Sequence, residues 1–511
     1  MKMRKLFAGI AAAATLLGGM ALGATSAQAD GAGTIVLGEA KFTFTAQDAK
    51  QLTNRKLKAY KIADYVQYGT DNNAAYGVQT ASTVTDTSGI KAALEAAVAG
   101  TNKTVPTDGS DLMAWALAEG VLSSDSADTH GAWSNSASRK FVESLKNATD
   151  KLGTAKTVDL GAVAKGVSAT VSLPAGLYLF VDADYLAGTN ENVTPSIAIL
   201  VGSGSVENSV LKDPLTEATV DIKNQTTAVT KKVNGEDAIT ASAGQRVTYT
   251  ITSKVPQNMQ YYGTYTYTYT DTPSAGQTVN LDSLKVKVGN KTLNGNVDYT
   301  VTPNTNGTFT VTIISIKKQP AGAVITVTYN ATVTEPEAAG NKAVTNEVVL
   351  SDNGATATGS TTITNSQFSF TKTDAQGKAL AAAEFEIEGQ NGASTPSTAT
   401  ANSDSNGTVT FKGLADGTYK VTETKVPTGF QSSLKATFEV TIKDGEATFV
   451  GTDVWGLAPK NSSADYKVKN VKNVTQLPLT GAAGTTLFTV VALLVAGAGV
   501  AVALKSRQRM H

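Results

Sequence analysis

Val247-Thr-Tyr-Thr-Ile251, Tyr265-Thr-Tyr-Thr-Tyr269, Phe309-Thr-Val-Thr-Ile313 and Ile325-Thr-Val-Thr-Tyr329 decide the fold of this chain. Each alternates apolar and polar residues with a period of two, the signature of a strand with one buried face. Several such stretches separated by turn residues, from about 221 to 363, predict a β-sandwich. The next stretch, about 364 to 474, repeats the pattern on a smaller scale, and the Thr-rich run near 354–363 reads as a short linker between the two. Upstream, residues 30 to about 220 are mixed. Strand-like segments at Lys41–Phe44 and Gly176–Asp182 flank helix-like ones at Ile90–Val98, Asp111–Leu122 and Arg139–Leu152, so this part reads as a β-domain with a helical insertion. The predicted fold class is mainly β: tandem immunoglobulin-like sandwich domains at 30–222, 223–363 and 364–476, the first carrying helices. The span from Asp30 to Thr480 is the length of about three ordinary domains.

The two ends read as processing signals. Lys2, Arg4 and Lys5 precede an apolar run to about Leu22 and the small-residue exit Ala27-Gln28-Ala29, which predicts a signal peptide over 1–29. At the other end, Leu477-Pro478-Leu479-Thr480-Gly481 is followed by an apolar run from Ala482 to Leu504, long enough to span a bilayer, and by a basic tail over 505–511. Net charge is zero, so no electrostatic case exists for nucleic acid. The chain has no cysteine, so no disulfide secures it. His130 is the only histidine between the two ends, no carboxylate pair stands out, and no run matches an EF-hand; nothing supports turnover of an external substrate, a cofactor or a metal.

Alternation also places polar residues on inward faces. Lys231 falls between Val229 and Val233, and Lys372 follows Phe368 and Phe370. Asn346 aligns with Val344, Val348 and Leu350; Asn470 aligns with Tyr466 and Val468. Asp271 follows Tyr265, Tyr267 and Tyr269, and Glu423 follows Tyr419 and Val421. Each of these is costly to bury alone. Lysine, acid and asparagine recur in the same order in both domains, which points to an intramolecular isopeptide bond. Burial lowers a lysine pKa and raises that of a carboxylic acid. The neutral amine attacks the asparagine amide, the acid shuttles protons, and ammonia leaves. Buried salt bridges, Lys231–Asp271 and Lys372–Glu423 with turn-capping asparagines, remain an alternative at this point. Lys232 falls on the outer face.

The pentapeptide resembles the LPxTG sorting signal at every fixed position, which implies that a sortase cleaves Thr480–Gly481 and leaves the apolar helix behind. Phe370-Thr-Lys-Thr-Asp374, Leu380-Ala-Ala-Ala-Glu-Phe385 and Tyr419-Lys-Val-Thr-Glu-Thr-Lys-Val-Pro-Thr-Gly-Phe430 resemble a CnaB-type domain. The last segment is similar to the pilin E-box, keeping Tyr419, Glu423, Thr424, Pro427 and Gly429 and ending in Phe430 for Tyr. From signal to tail the chain resembles the major backbone subunits of sortase-assembled pili, an isopeptide-forming fimbrial family.

That resemblance implies Lys372–Asn470 and Lys231–Asn346 bonds formed under Glu423 and Asp271. It implies that a pilin lysine in a V-x-V-Y-P-K-N context accepts Thr480 of the next subunit. Val220-Asp-Ile-Lys-Asn224 is the corresponding stretch, with Asp221 and Ile222 in place of Tyr and Pro, so Lys223 is the expected acceptor, exposed at a strand end, and Lys212 its nearest rival. The partners implied are a sortase, identical subunits, minor pilins and peptidoglycan, with any host or carbohydrate ligand for adhesion left unknown. The expected location is outside the cell, in the wall and fimbria of a Gram-positive bacterium. A singly displayed wall-anchored adhesin with CnaB stalks is the competing reading.

Overall fold

A computed structural model describes residues 33–68, 75–122, 136–163, 167–182, 192–207, 210–334, 343–461 and 465–477. The expected signal peptide, apolar span and basic tail lie outside these, as do Pro478, Thr480 and Gly481. Among the described residues no helix is long and apolar enough to cross a membrane. The chain is mainly β and packs three separate hydrophobic cores, over Ala40–Ile222, Val229–Ile363 and Phe368–Leu477.

The first core lies between a six-stranded sheet centred on Lys56–Tyr68 and a three-stranded one, in which Ala218–Asp221 pairs in parallel with Glu39–Thr45. Helices Ser88–Val98, Leu112–Ala118 and Ala137–Leu145 form the insertion. The last is shorter than its apolar spacing predicts. It breaks into a tighter 3₁₀ segment over Lys146–Lys151, where Asn147 turns its amide back to the Glu143 carbonyl at 3.1 Å.

The second core is a sandwich. One sheet runs Thr230–Val233, Arg246–Lys254, Val324–Val333, Gln277–Val288 and Lys291–Thr292. The other runs Ala238–Thr240, Ala355–Thr364, Val344–Asp352, Tyr267–Pro273, Phe309–Thr312 and Thr300–Pro303. The stretch expected to be a linker is therefore a full strand. Asn353 (φ 47°) and Gly354 (φ 100°) turn the chain into a tight hairpin, and Ala355–Thr364 then pairs along all of Val344–Asp352 while burying Thr361 and Ile363.

In the third core, Ser366–Thr373 lies between Thr408–Leu414 and, in parallel, Lys467–Lys469; the facing sheet centres on Glu384–Gln390 and Gly417–Lys425. The second and third domains meet at Ser242. Its hydroxyl donates to the Ser394 carbonyl (3.0 Å), accepts from the Ala415 N–H (3.0 Å) and lies 3.3 Å from the Tyr419 hydroxyl.

Candidate cross-linking sites

Alternation carries Lys231, Asp271 and Asn346 into the second sandwich, where each is 2 % exposed or less. Lys231 comes from the edge strand of one sheet, opposite Ile251. Asp271 and Asn346 sit on adjacent strands of the other, Asp271 opposite Val348 and Asn346 opposite Pro273. The Lys231 ammonium is ion-paired to Asp271 and donates to Asn346 Oδ1 at 2.7 Å. It also lies over the rings of Tyr249 and Tyr329, at 5.2 and 5.5 Å from their centroids. Burial pushes the Lys231 amine down to about 8 against the opposing pull of Asp271. Burial likewise raises the Asp271 carboxyl, with Lys231 opposing. Both shifts favour the uncharged pair, a free amine beside a carboxylic acid, with the asparagine carbonyl within reach of the amine.

A fourth residue belongs here that the sequence reading did not single out. The Tyr329 hydroxyl lies 3.0 Å from both oxygens of Asp271 and accepts from Asn346 Nδ2 at 2.8 Å. The signal was present, since Ile325-Thr-Val-Thr-Tyr329 places this ring inward and a buried tyrosine hydroxyl needs a partner.

The third domain assembles the same three side-chain types differently. Lys372, Glu423 and Asn470 are all fully buried. Lys372 and Asn470 are in-sheet neighbours: Lys372 pairs with Val468, and the Asn470 N–H bonds the Thr373 carbonyl at 2.9 Å. Glu423 reaches in from the facing sheet. Its Oε2 accepts from Asn470 Nδ2 (3.0 Å) and from the Ala436 N–H (3.1 Å), and its Oε1 is 3.3 Å from Lys372 Nζ. Lys372 Nζ, Glu423 Oε1 and Asn470 Oδ1 find no hydrogen-bond partner. Buried polar atoms are rarely left so, and here all three belong to one set. Burial pushes the Lys372 amine down to about 8, with Glu423 opposing. Phe385 lies under that amine, 5.6 Å from it to the ring centroid.

The remaining predicted residues stand apart from these sets. Lys232 is half-buried and pairs with Asp237 at 3.1 Å. Lys223 is not the exposed strand end that was expected; it is 5 % exposed. The chain beyond Asp221 does not run free but is covered by residues 192–197, through Ile197 N–H to the Lys223 carbonyl (3.1 Å) and Thr194 N–H to the Gln225 carbonyl (2.9 Å). The second domain closes over that segment, with the Tyr262 hydroxyl donating to the Pro195 carbonyl at 2.8 Å. Burial lowers the Lys223 pKa, partly offset by Asp221. Asn224 Oδ1 accepts from Gln51 Nε2, and its Nδ2 donates to the Gln51 backbone carbonyl, both at 2.9 Å. Lys212 lies in strand Val210–Asp213, and Leu477 is buried against the third core. No group of three residues suited to a metal occurs among the described residues.

Residues 366–454 match the SpaA family, a prealbumin-like fold domain, and residues 469–509 match the Gram-positive LPXTG cell wall anchor motif. The T6 backbone pilin of Streptococcus pyogenes aligns with 82 % of this chain and 81 % of its own at 18 % identity and a TM-score of 0.52. The chain is a wall-anchored surface protein with a backbone-pilin fold. The full-length major pilin SpaD of Corynebacterium diphtheriae aligns at 16 % identity over 85 % of this chain and 98 % of its own, with a TM-score of 0.49. No curated protein matches. The prealbumin-like segment matched at 366–454 contains Lys372 and Glu423, and Asn470 falls at the start of the anchor match.

Proposed function

We propose that the chain is the backbone subunit of a covalent surface fibre, strengthened by one Lys–Asn isopeptide bond in each of its second and third domains. The observation that carries this is the pair of buried lysine–acid–asparagine sets, occurring in the same order on two different sheet arrangements. Asp271 and Glu423 act as the acids, Lys231 and Lys372 as amines, and Asn346 and Asn470 as the amides that release ammonia. Folding supplies the proximity, so the chain is the substrate of its own reaction and turns over nothing else. Mass measurement of the exported protein should show the loss of two ammonias. An unmodified mass would remove the cross-links from the proposal.

A sortase then joins Thr480 of one copy to a lysine of the next, and minor pilins and peptidoglycan are the expected further partners. Lys223, at the junction of the first and second domains, is the proposed acceptor, and its burial requires that the cover over residues 223–227 open for the enzyme. Lys223→Ala should abolish the detergent-resistant ladder in wall extracts while monomer is still secreted and anchored. A persisting ladder moves the role to Lys212. The burial of Lys223 is also the one observation favouring a singly displayed adhesin, for which wild-type extract would give one band.

A further inference from the structure

We propose that Tyr329 is a catalytic residue of the second domain, passing to the departing nitrogen of Asn346 the proton that it needs to leave as ammonia. The proposal rests on the cross-linking reading. Amide exchange requires one net proton transfer: Lys231 Nζ loses a proton as its bond to Asn346 Cγ forms, and Asn346 Nδ2 gains one as its bond to Cγ breaks. Asp271 touches the first nitrogen, through its ion pair with Lys231. Tyr329 touches the second, accepting from Nδ2 at 2.8 Å, and its oxygen lies 3.0 Å from both Asp271 oxygens. The line Nζ, Asp271, Tyr329 hydroxyl, Nδ2 is thus closed by hydrogen-bond contacts.

In the planar amide, Nδ2 donates to the hydroxyl. Once Cγ becomes tetrahedral, Nδ2 gains a lone pair, the hydroxyl turns to donate its proton there, and it takes another from Asp271, which has received the lysine proton. Tyrosine and acid end as they began, and no other reactant is consumed. Burial keeps the phenol protonated, its pKa raised well above the ordinary range, so it enters the step as a neutral donor. Tyr249 and Phe309 pack against the ring, each 5.2 Å away between centroids. In the third domain Asn470 Nδ2 goes directly to Glu423 Oε2. There the acid touches the leaving nitrogen itself and needs no intermediary.

The test is a pulse-labelled time course on the whole chain, digesting samples and counting the Lys231–Asn346 and Lys372–Asn470 cross-linked peptides by mass spectrometry. Tyr329→Phe keeps the ring and should slow the first peptide roughly a hundredfold, the usual worth of a positioned proton donor, while the second appears at the wild-type rate. Phe309→Leu loosens the ring but keeps the hydroxyl and should leave both rates within a few-fold. Equal rates for Tyr329→Phe and wild type would overturn the proposal. So would a Phe309→Leu chain as slow as Tyr329→Phe, since ring packing would then be what matters. Absence of both peptides from the unsubstituted chain would instead defeat the cross-linking reading itself.

Discussion

In the second domain the lysine crosses from one sheet to reach an acid and an asparagine that share the other; in the third the lysine and asparagine share a sheet and the acid crosses. Facing sheets pack about 10 Å apart, so whichever side chain crosses must be long. Lys231 is long enough to cross to a short Asp271, whereas in the third domain the crossing falls to the acid, and a glutamate stands there with one methylene more. The choice of Asp or Glu is thus set by strand topology rather than by acidity. The same contrast explains why one site has recruited a tyrosine and the other a backbone N–H, from Ala436, to complete the acid's hydrogen bonds.

The comparison breaks most severely if Glu423 can be removed harmlessly. Glu423→Ala should lose the proposed cross-link, which would close nearly the whole domain and be worth roughly 5 kcal/mol by analogy with a disulfide across a loop of that length. It should also leave Lys372 buried without a partner, at a further cost of about 3–5 kcal/mol. Urea unfolding should resolve an early transition of the third domain alone; a wild-type profile would show that the acid is dispensable. A sharper probe exchanges the acids by length. Glu423→Asp should withdraw the carboxylate from Lys372 and Asn470 and slow that bond by roughly a hundredfold, the scale of a misplacement of about 1 Å. Undiminished bond formation would refute the topological reason for glutamate.

The smallest expected effect concerns pH. In Asn470→Ala and Asn346→Ala the lysines stay free, with folded-state values held by burial at about 8 against their ordinary 10.5. Below about 8 both folded and unfolded chains carry the proton and the burial penalty is full. Between the two values only the unfolded chain does, so stability rises with pH, by about 1.4 kcal/mol per unit and about 3 kcal/mol in all. Cross-linked as proposed, the wild type has no amine to titrate at either site and should not show this rise in calorimetry between pH 8 and 10.5. A rise of equal size in the wild type would mean that the lysines are free there too.

The inward faces of both sites were legible because a strand's period of two leaves no freedom about which residues face in: Lys231 and Lys232 differ by one position and lie on opposite sides of the sheet. What alternation cannot convey is which strands meet. Tyr329 is one of many inward tyrosines, and only the stacking of Val324–Val333 over the facing sheet brings it to Asp271 and Asn346. The cover over Lys223 comes from residues about thirty positions earlier and leaves no local trace. Ala355–Thr364 was misread for a different reason: its Thr, Ser and Gly composition imitates a linker, although Asn353-Gly354 announces a hairpin.

That misread strand bears on how a fibre of this kind yields. It follows Asn346 in the chain, so it lies outside the loop that the proposed Lys231–Asn346 bond closes, yet any tension passing from the second domain to the third must run through it. Thr362 sits beside Thr345, so pulling on its far end parts the hairpin from the open side, one rung at a time, instead of shearing all rungs together. Opened through its turn, and with both of its strands stripped from their other neighbours, the stretch from Asn346 to Thr364 pays out roughly 60 Å of slack at about 3.4 Å per residue before the tension reaches a covalent stop. Each subunit would then carry a recoiling shock absorber beside two inextensible clasps: a surface filament that gives a little under a tug and springs back when the strand re-forms.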